Sequence, residues 1–331
     1  MTRQQKILLN YVIGPVLFVL LAVSIYLKVV SQPDLKEKIK VIQLAFTGQK
    51  ASLFIVLFCL MICNWGIESR KWQLLMRPIQ PVGYLRAFRA VLSGLSFSLF
   101  IPNGVGEYFG RMVYMDEGNR LKSISLSIAG SMSQVIITSI AGVISLHYLK
   151  QGAWLQSNVL VSVPIFWIKL VLSMMWMGTI VLVVVYFRIS WLSRIFGKIS
   201  FIQRYQYFIE HLETFTTFDL TKILSLSFFR FLVFTTQYLV TLYLFEAAVP
   251  LPVALATVSV VFLVLLVLPT IPAADLGLRG QTAIQLFGLV SSNSVAIIAT
   301  TTTIWFLNLI LPAMAGSLFI AGIRLFKKDI K

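Results

Sequence analysis

Six stretches of this chain, 8–30, 51–68, 123–149, 165–187, 223–246 and 294–321, are long and apolar enough to read as membrane spans. About 20 consecutive apolar residues are needed for a helix to cross the hydrocarbon core of a bilayer. The composition leaves little alternative. Hydrophobic residues make up 58% of the chain and charged residues 12%, whereas a soluble domain is about one quarter charged. So few charges do not cover a soluble protein of this size. The expected fold class is therefore all-α, a polytopic helical membrane protein forming a single integral membrane domain over 1–331, and not a soluble enzyme.

The net charge of +16 has to be read against that background. The lysines and arginines gather between the apolar stretches, which is the pattern of topogenic charge facing anionic headgroups rather than nucleic acid. Arg3 and Lys6 precede the apolar run from Ile7 to Val30, with no small-residue cleavage site after it, so this run is expected to be the first anchor. Placing both termini in the cytoplasm puts 19 of the 28 basic residues on the inner side and seven outside, the sense of the positive-inside rule. The expected location is thus the cell (inner) membrane. Cys59 and Cys63 lie within a span and His147 and His211 are far apart, so no metal site is expected. There is no Gly-x4-Gly-Lys-Ser/Thr loop for a nucleotide, and no cofactor is expected.

Two further apolar stretches, 84–101 and 253–271, run into segments broken by proline and glycine. If each enters and returns on one side, as hairpins 84–111 and 253–290, the basic loop at 188–222 stays inside, so re-entrant hairpins are preferred to full crossings. Within that loop, Leu192, Ile195, Ile199, Ile202, Tyr205 and Ile209 recur at helical steps among Arg194, Lys198 and Arg204. The spacing predicts an amphipathic interfacial helix over 188–218. The halves 1–150 and 151–331 are alike in outline, each with spans and one broken hairpin. Interrupted segments in matching positions of an inverted repeat point to a transporter's binding site.

Each hairpin carries an acid and an arginine four residues apart, Glu107 with Arg111 and Asp275 with Arg279. On a helix such pairs share a face. Charge at membrane depth persists where it is paired or faces a polar cavity, and exchange of partners between the hairpins is one way to neutralise both. The four residues either hold the hairpins together or line a cavity for a charged headgroup. In the second case Arg111 and Arg279 are the phosphate clamp. Gly104, Gly106 and Gly277 then allow close backbone approach to an anion, and Pro102, Pro269 and Pro272 make the breaks. Ser123, Ser125, Ser127, Ser131, Ser133 and Ser139 make one span small and polar, for close helix packing by default, with cavity lining as the alternative.

Three segments together carry a resemblance. They are Glu68-Ser69-Arg70-Lys71-Trp72-Gln73-Leu74-Leu75, the run from Pro102 through Gly104, Gly106 and Glu107 to Arg111, and the run from Pro269 through Pro272, Asp275 and Gly277 to Arg279. In this order the chain resembles the lysylphosphatidylglycerol synthase transmembrane-region family, flippase-like membrane proteins. Gly106, Glu107 and Arg111 match that family's first motif, with the arginine displaced by about a residue. Pro269, Pro272, Leu276, Gly277 and Arg279 match the second, while Ala273 and Ala274 stand where glycine is usual and Gly280 where the family has glutamate. The resemblance implies a lipid translocase, and, with Lys331 about ten residues past the last span, one without an aminoacyl-transferase domain.

The expected function is movement of a phospholipid or lipid-linked substrate across the membrane, with membrane lipids of anionic headgroup as partners and no nucleic acid. Removing Arg111 or Arg279 is expected to abolish transfer in a folded protein. Two other classes stay open. One is a membrane glycosyltransferase-like enzyme, for which Asp34 and Glu37 are the acids of the first outside loop, while Asp116 and Glu117 are adjacent but fall on the expected inner face. The other is a non-catalytic partner of a separately encoded envelope-biogenesis enzyme.

Overall fold

The computed structural model describes residues 23, 26–27, 35–99, 101, 104–151, 165–188, 214–268 and 274–321. Most of the first span at 8–30, most of the interfacial helix at 188–218, and Pro102, Pro269 and Pro272 lie outside the described residues. Within them the protein is all-α. The helices are α1 (Leu35–Thr47), α2 (Leu53–Met76), α3 (Tyr84–Ser98), α4 (Val105–Met112), α5 (Arg120–Gln151), α6 (Ile165–Phe187), α7 (Thr217–Leu244), α8 (Leu251–Val267), α9 (Asp275–Phe287), α10 (Ser294–Trp305) and α11 (Leu311–Ala321).

Among the described residues, five helical stretches are long and apolar enough to cross a membrane: Lys50–Met76, Glu117–Gln151, Lys169–Phe187, Thr217–Leu244 and Ser294–Ile320. They coincide with the second to sixth expected spans, and their surfaces explain why the chain needs a bilayer. On α6, Phe166, Val171, Met174, Met177, Ile180, Val181 and Val184 are all exposed. A continuous apolar face of this kind is unfavourable in water and is what lipid chains cover. The protein is a multi-pass helical membrane protein.

One boundary differs from the expectation in a way that matters. The second span does not stop at Glu68. The helix continues to Met76, and Lys71, read from sequence as loop charge, is fully buried. Straight-chain Glu68, Arg70, Lys71 and Gln73 are good helix formers, and no glycine or proline interrupts before Pro78.

The two broken stretches are each helix, break, helix. Leu268, which precedes Pro269, is extended at ψ 126°, because the proline ring excludes the helical region for its predecessor. Gly104 opens α4 with φ 70°, a left-handed conformation that costs a residue with a Cβ. α4 packs back on α3, and α9 on α8. The α3–α4 crossing depends on glycine at both faces, since a Cβ on Gly110 would lie 2.6 Å from the Gly94 Cα and from the Ser93 carbonyl oxygen.

The last span is interrupted by a wide π turn at Phe306–Ile310. Pro312 has no N–H to give the carbonyl of Asn308 four residues earlier, which is the local reason the helix widens there.

The chain divides into two compact units. One comprises Met1–Ile62, Val135–Leu182 and Phe231–Leu307, the other Cys63–Gln134, Val183–Arg230 and Asn308–Lys331. In the first, Phe262 of α8 makes T-shaped contacts with Phe231, Phe234 and Tyr238 of α7, ring centroids 5.4–5.9 Å apart, and Val143, Leu172 and Leu263 form a buried cluster. In the second, α11 packs on α3, with Ser96 donating to the Ala313 carbonyl and Ser93 to that of Gly316.

Candidate functional site

Glu68, two turns before the end of α2, lies at the centre of a buried charge cluster in the second unit. Its Oε1 accepts from Arg111 Nη1 at 3.0 Å, and its Oε2 meets Lys71 Nζ at 2.8 Å and Arg230 Nη1 at 2.9 Å. Arg111 also donates through Nη2 to Glu107 Oε2, one turn earlier on α4, at 2.8 Å. Among the described residues, three cations, Lys71, Arg111 and Arg230, thus face two carboxylates, Glu68 and Glu107, leaving one positive charge in excess.

The helices dictate this geometry. Glu68 and Lys71 are three residues apart on α2, and Glu107 and Arg111 four apart on α4, so each pair shares a face. Arg230 comes from the middle of α7, about 20 Å along that helix from Thr217 at 1.5 Å per residue. Its Nε donates to Asn64 Oδ1 at 3.0 Å, and its guanidinium carbon lies 4.9 Å from the centre of the Trp65 ring. Asn64 in turn donates to Asn308 Oδ1 in the π turn at 3.2 Å. Lys71 reaches Ser227 Oγ at 3.4 Å, and Ser227 shares a hydrogen bond with Ser133 at 2.6 Å.

The serines of α5 therefore do more than allow close approach. Ser127 accepts the Trp72 indole N–H at 3.1 Å, and Ser131 pairs with Tyr108 Oη at 2.9 Å. The cluster is closed at Glu68, Lys71 and Arg111, whose side chains are 5% exposed or less. It is open at Arg230, 18% exposed, and at Glu107, one third exposed.

The first unit holds a smaller site. Asp275 and Arg279 are one turn apart on α9. Arg279 Nε donates to Asp275 Oδ2 at 2.9 Å, and the same oxygen accepts the Trp305 indole N–H at 3.1 Å. Asp275 is nearly buried, but Arg279 is one third exposed, and among the described residues that Nε bond is the hydrogen bond its guanidinium makes.

The residues singled out from sequence thus fall into two groups, Glu107 and Arg111 in one unit, Asp275 and Arg279 in the other. Each charge has its partner on its own helix. Arg111 differs from the expectation of a phosphate clamp: both terminal nitrogens are taken by carboxylates, and its Nε is buried with no partner among the described residues. Gly106 is occupied in packing, since a Cβ there would meet the Phe97 backbone. Gly277 is buried within α9. Gly104 has open space around it.

Glu68, Lys71 and Arg230 are the functional candidates that the sequence reading left outside the site. Arg230 in the centre of an apolar run was their available signal, because a charge at that depth needs partners. No family model matches the chain, and neither a curated protein nor a solved structure does.

Proposed function

We propose that this protein moves a lipid with an anionic headgroup, a phospholipid or a lipid-linked substrate, between the leaflets of the cell membrane. The observation that carries this reading is the Glu68 cluster: five ionisable side chains among apolar spans, with a net positive charge and an opening at Arg230 and Glu107. A charge at the centre of a spanning helix costs about 2.5–3.5 kcal/mol on insertion scales. A surplus cation there is retained where it meets an anion in the course of function.

Two guanidiniums have donors to spare. Arg230 uses Nε and one terminal nitrogen, and Arg279 uses Nε, among the described residues. In this reading they offer phosphate its footholds, one in each unit, while Arg111 holds Glu68 and Glu107 in place. Re-entrant hairpins fit the helix lengths: α3 and α8, of 15 and 17 residues, extend about 22 and 26 Å against a core of about 30 Å. Cytoplasmic termini and the resemblance to the lysylphosphatidylglycerol synthase transmembrane region belong to the same proposal.

The test is lipid transfer in proteoliposomes containing the purified chain and fluorescent phosphatidylglycerol or phosphatidylcholine. Transfer of the anionic lipid that falls to the protein-free rate in Arg230→Ala and Arg279→Ala supports the assignment. Transfer by both variants at the rate of the intact protein, or none by the intact protein, overturns it.

A further inference from the structure

Where α2 ends and α7 begins, two cavities open on either side of Leu74 and Lys222. One, of about 320 Å³, is lined by Arg77, Pro78, Phe215, Asp219 and Ile223. The other, of about 380 Å³, is lined by Arg70, Phe218, Leu226 and Phe229. Both belong to the second unit, and neither contains a residue of the Glu68 cluster.

The charges at these cavities are unbalanced. Arg70, Arg77 and Lys222 are exposed and form no ion pair among the described residues. Arg70 donates to the neighbouring Gln73, and Lys222 lies 4.0 Å from the centre of the Phe218 ring. Asp219 is the acid at this site, but it is committed to closing the first turn of α7: its Oδ2 accepts from Thr216 N at 3.2 Å and from Thr216 Oγ1 at 2.7 Å, while its own N–H donates to Thr216 Oγ1. That reciprocal arrangement satisfies helix N-terminal donors. Among the described residues, three cations against one engaged carboxylate leave two positive charges in excess.

The surroundings decide which anion fits. Phe218 and Phe229 are both more than half exposed, and Leu74 and Leu226 extend the apolar wall. The ends of two spans are where a lipid headgroup meets its acyl chains. A phosphate there takes guanidinium and ammonium donors, and the chains follow the apolar wall. A soluble anion gains nothing from that wall.

We infer that these paired cavities bind one anionic phospholipid, held by Arg70, Arg77 and Lys222. The site is separate from the one proposed for transport, and its test reads lipid retention rather than lipid transfer, so each proposal can fail alone.

The experiment is native mass spectrometry of the purified protein equilibrated with equal amounts of phosphatidylglycerol and phosphatidylcholine. The intact protein retains phosphatidylglycerol selectively. Lys222→Gln lowers that selectivity about fivefold, the effect of one interfacial basic residue, and the combined Arg70→Gln, Arg77→Gln and Lys222→Gln variant lowers it further, to what the transport site alone retains. A second variant of the same net charge, Lys36→Gln, Lys40→Gln and Lys169→Gln at other exposed positions, keeps it. Equal loss in both triple variants assigns the effect to overall charge and overturns the site. Unchanged selectivity in the first triple variant, or none in the intact protein, also overturns it. Displacement of the lipid by excess inorganic phosphate reassigns the cavities to a soluble anion.

Discussion

Arg230, midway along α7, donates to Glu68 on α2 across 162 residues of chain, at 2.9 Å. The two residues lie farther from the ends of their helices than any other charge on α2 and α7, and each accounts for the other. Without Arg230, Glu68 loses one of its three cations. Without Glu68, three cations converge on a space with, among the described residues, Glu107 as the remaining carboxylate.

The first prediction concerns that asymmetry. Glu68→Gln keeps the volume and removes the charge. Breaking a buried ion pair by deleting one partner costs about 3–5 kcal/mol, and the thermal midpoint in detergent is expected to fall accordingly. Lys71→Met removes one cation and leaves two cations facing two carboxylates, so it should cost less. If Lys71→Met is the more damaging of the two, the surplus of positive charge is not a property of the folded protein.

A second prediction tests the coupling directly. Arg230→Gln and Glu68→Gln, made singly and together, should be non-additive in stability by about 0.5–3 kcal/mol, as for residues in one network. Additive losses would mean that the 2.9 Å contact carries no energy.

The third prediction addresses the α3–α4 crossing. Gly110→Ala would set a methyl 2.6 Å from the Gly94 Cα, and overpacking of that kind costs about 1–3 kcal/mol. Arg111 is the next residue, so the shift also disturbs its bonds to Glu68 and Glu107. Gly118→Ala, with nothing within 4 Å of the added carbon, should stay within about 0.5 kcal/mol of the parent. Equal thermal midpoints for the two variants would show that α4 does not need this close approach.

These relationships differ in how far the sequence alone reveals them. The spans are legible because 20 apolar residues in a row have few other solutions, and five of the six fall on described helices. The hairpin breaks are legible because proline and glycine act locally, as Leu268 and Gly104 illustrate. The pairing of Glu107 with Arg111 follows from helical spacing alone. Glu68 is not legible in this way. Its partners lie 3, 43 and 162 residues away, and only packing of α2, α4 and α7 brings them together. Ending the second span at Glu68 also concealed Lys71, since four charged or polar residues in succession read as a loop until the helix is seen to continue. Arg230 was visible as an anomaly, but its partner was not.

The last prediction separates the two arginines that the sequence treats alike. Arg279 is one third exposed and Arg111 is 4% exposed. Arg279→Ala leaves Asp275 its bond from Trp305 and removes a guanidinium with unused donors, so the protein should fold, show a near-parental thermal midpoint and fail in lipid transfer. Arg279→Lys keeps the charge but loses the planar fork, and transfer should drop about tenfold, the scale of one charge-assisted hydrogen bond. Arg111→Ala, by contrast, strips Glu68 and Glu107 of a shared partner, and its first effect should be a lower thermal midpoint. Transfer assays beside melting curves for the three variants check this. A stable Arg111→Ala protein that has lost transfer would return Arg111 to the headgroup. An Arg279→Ala protein that unfolds would make its pair with Asp275 structural.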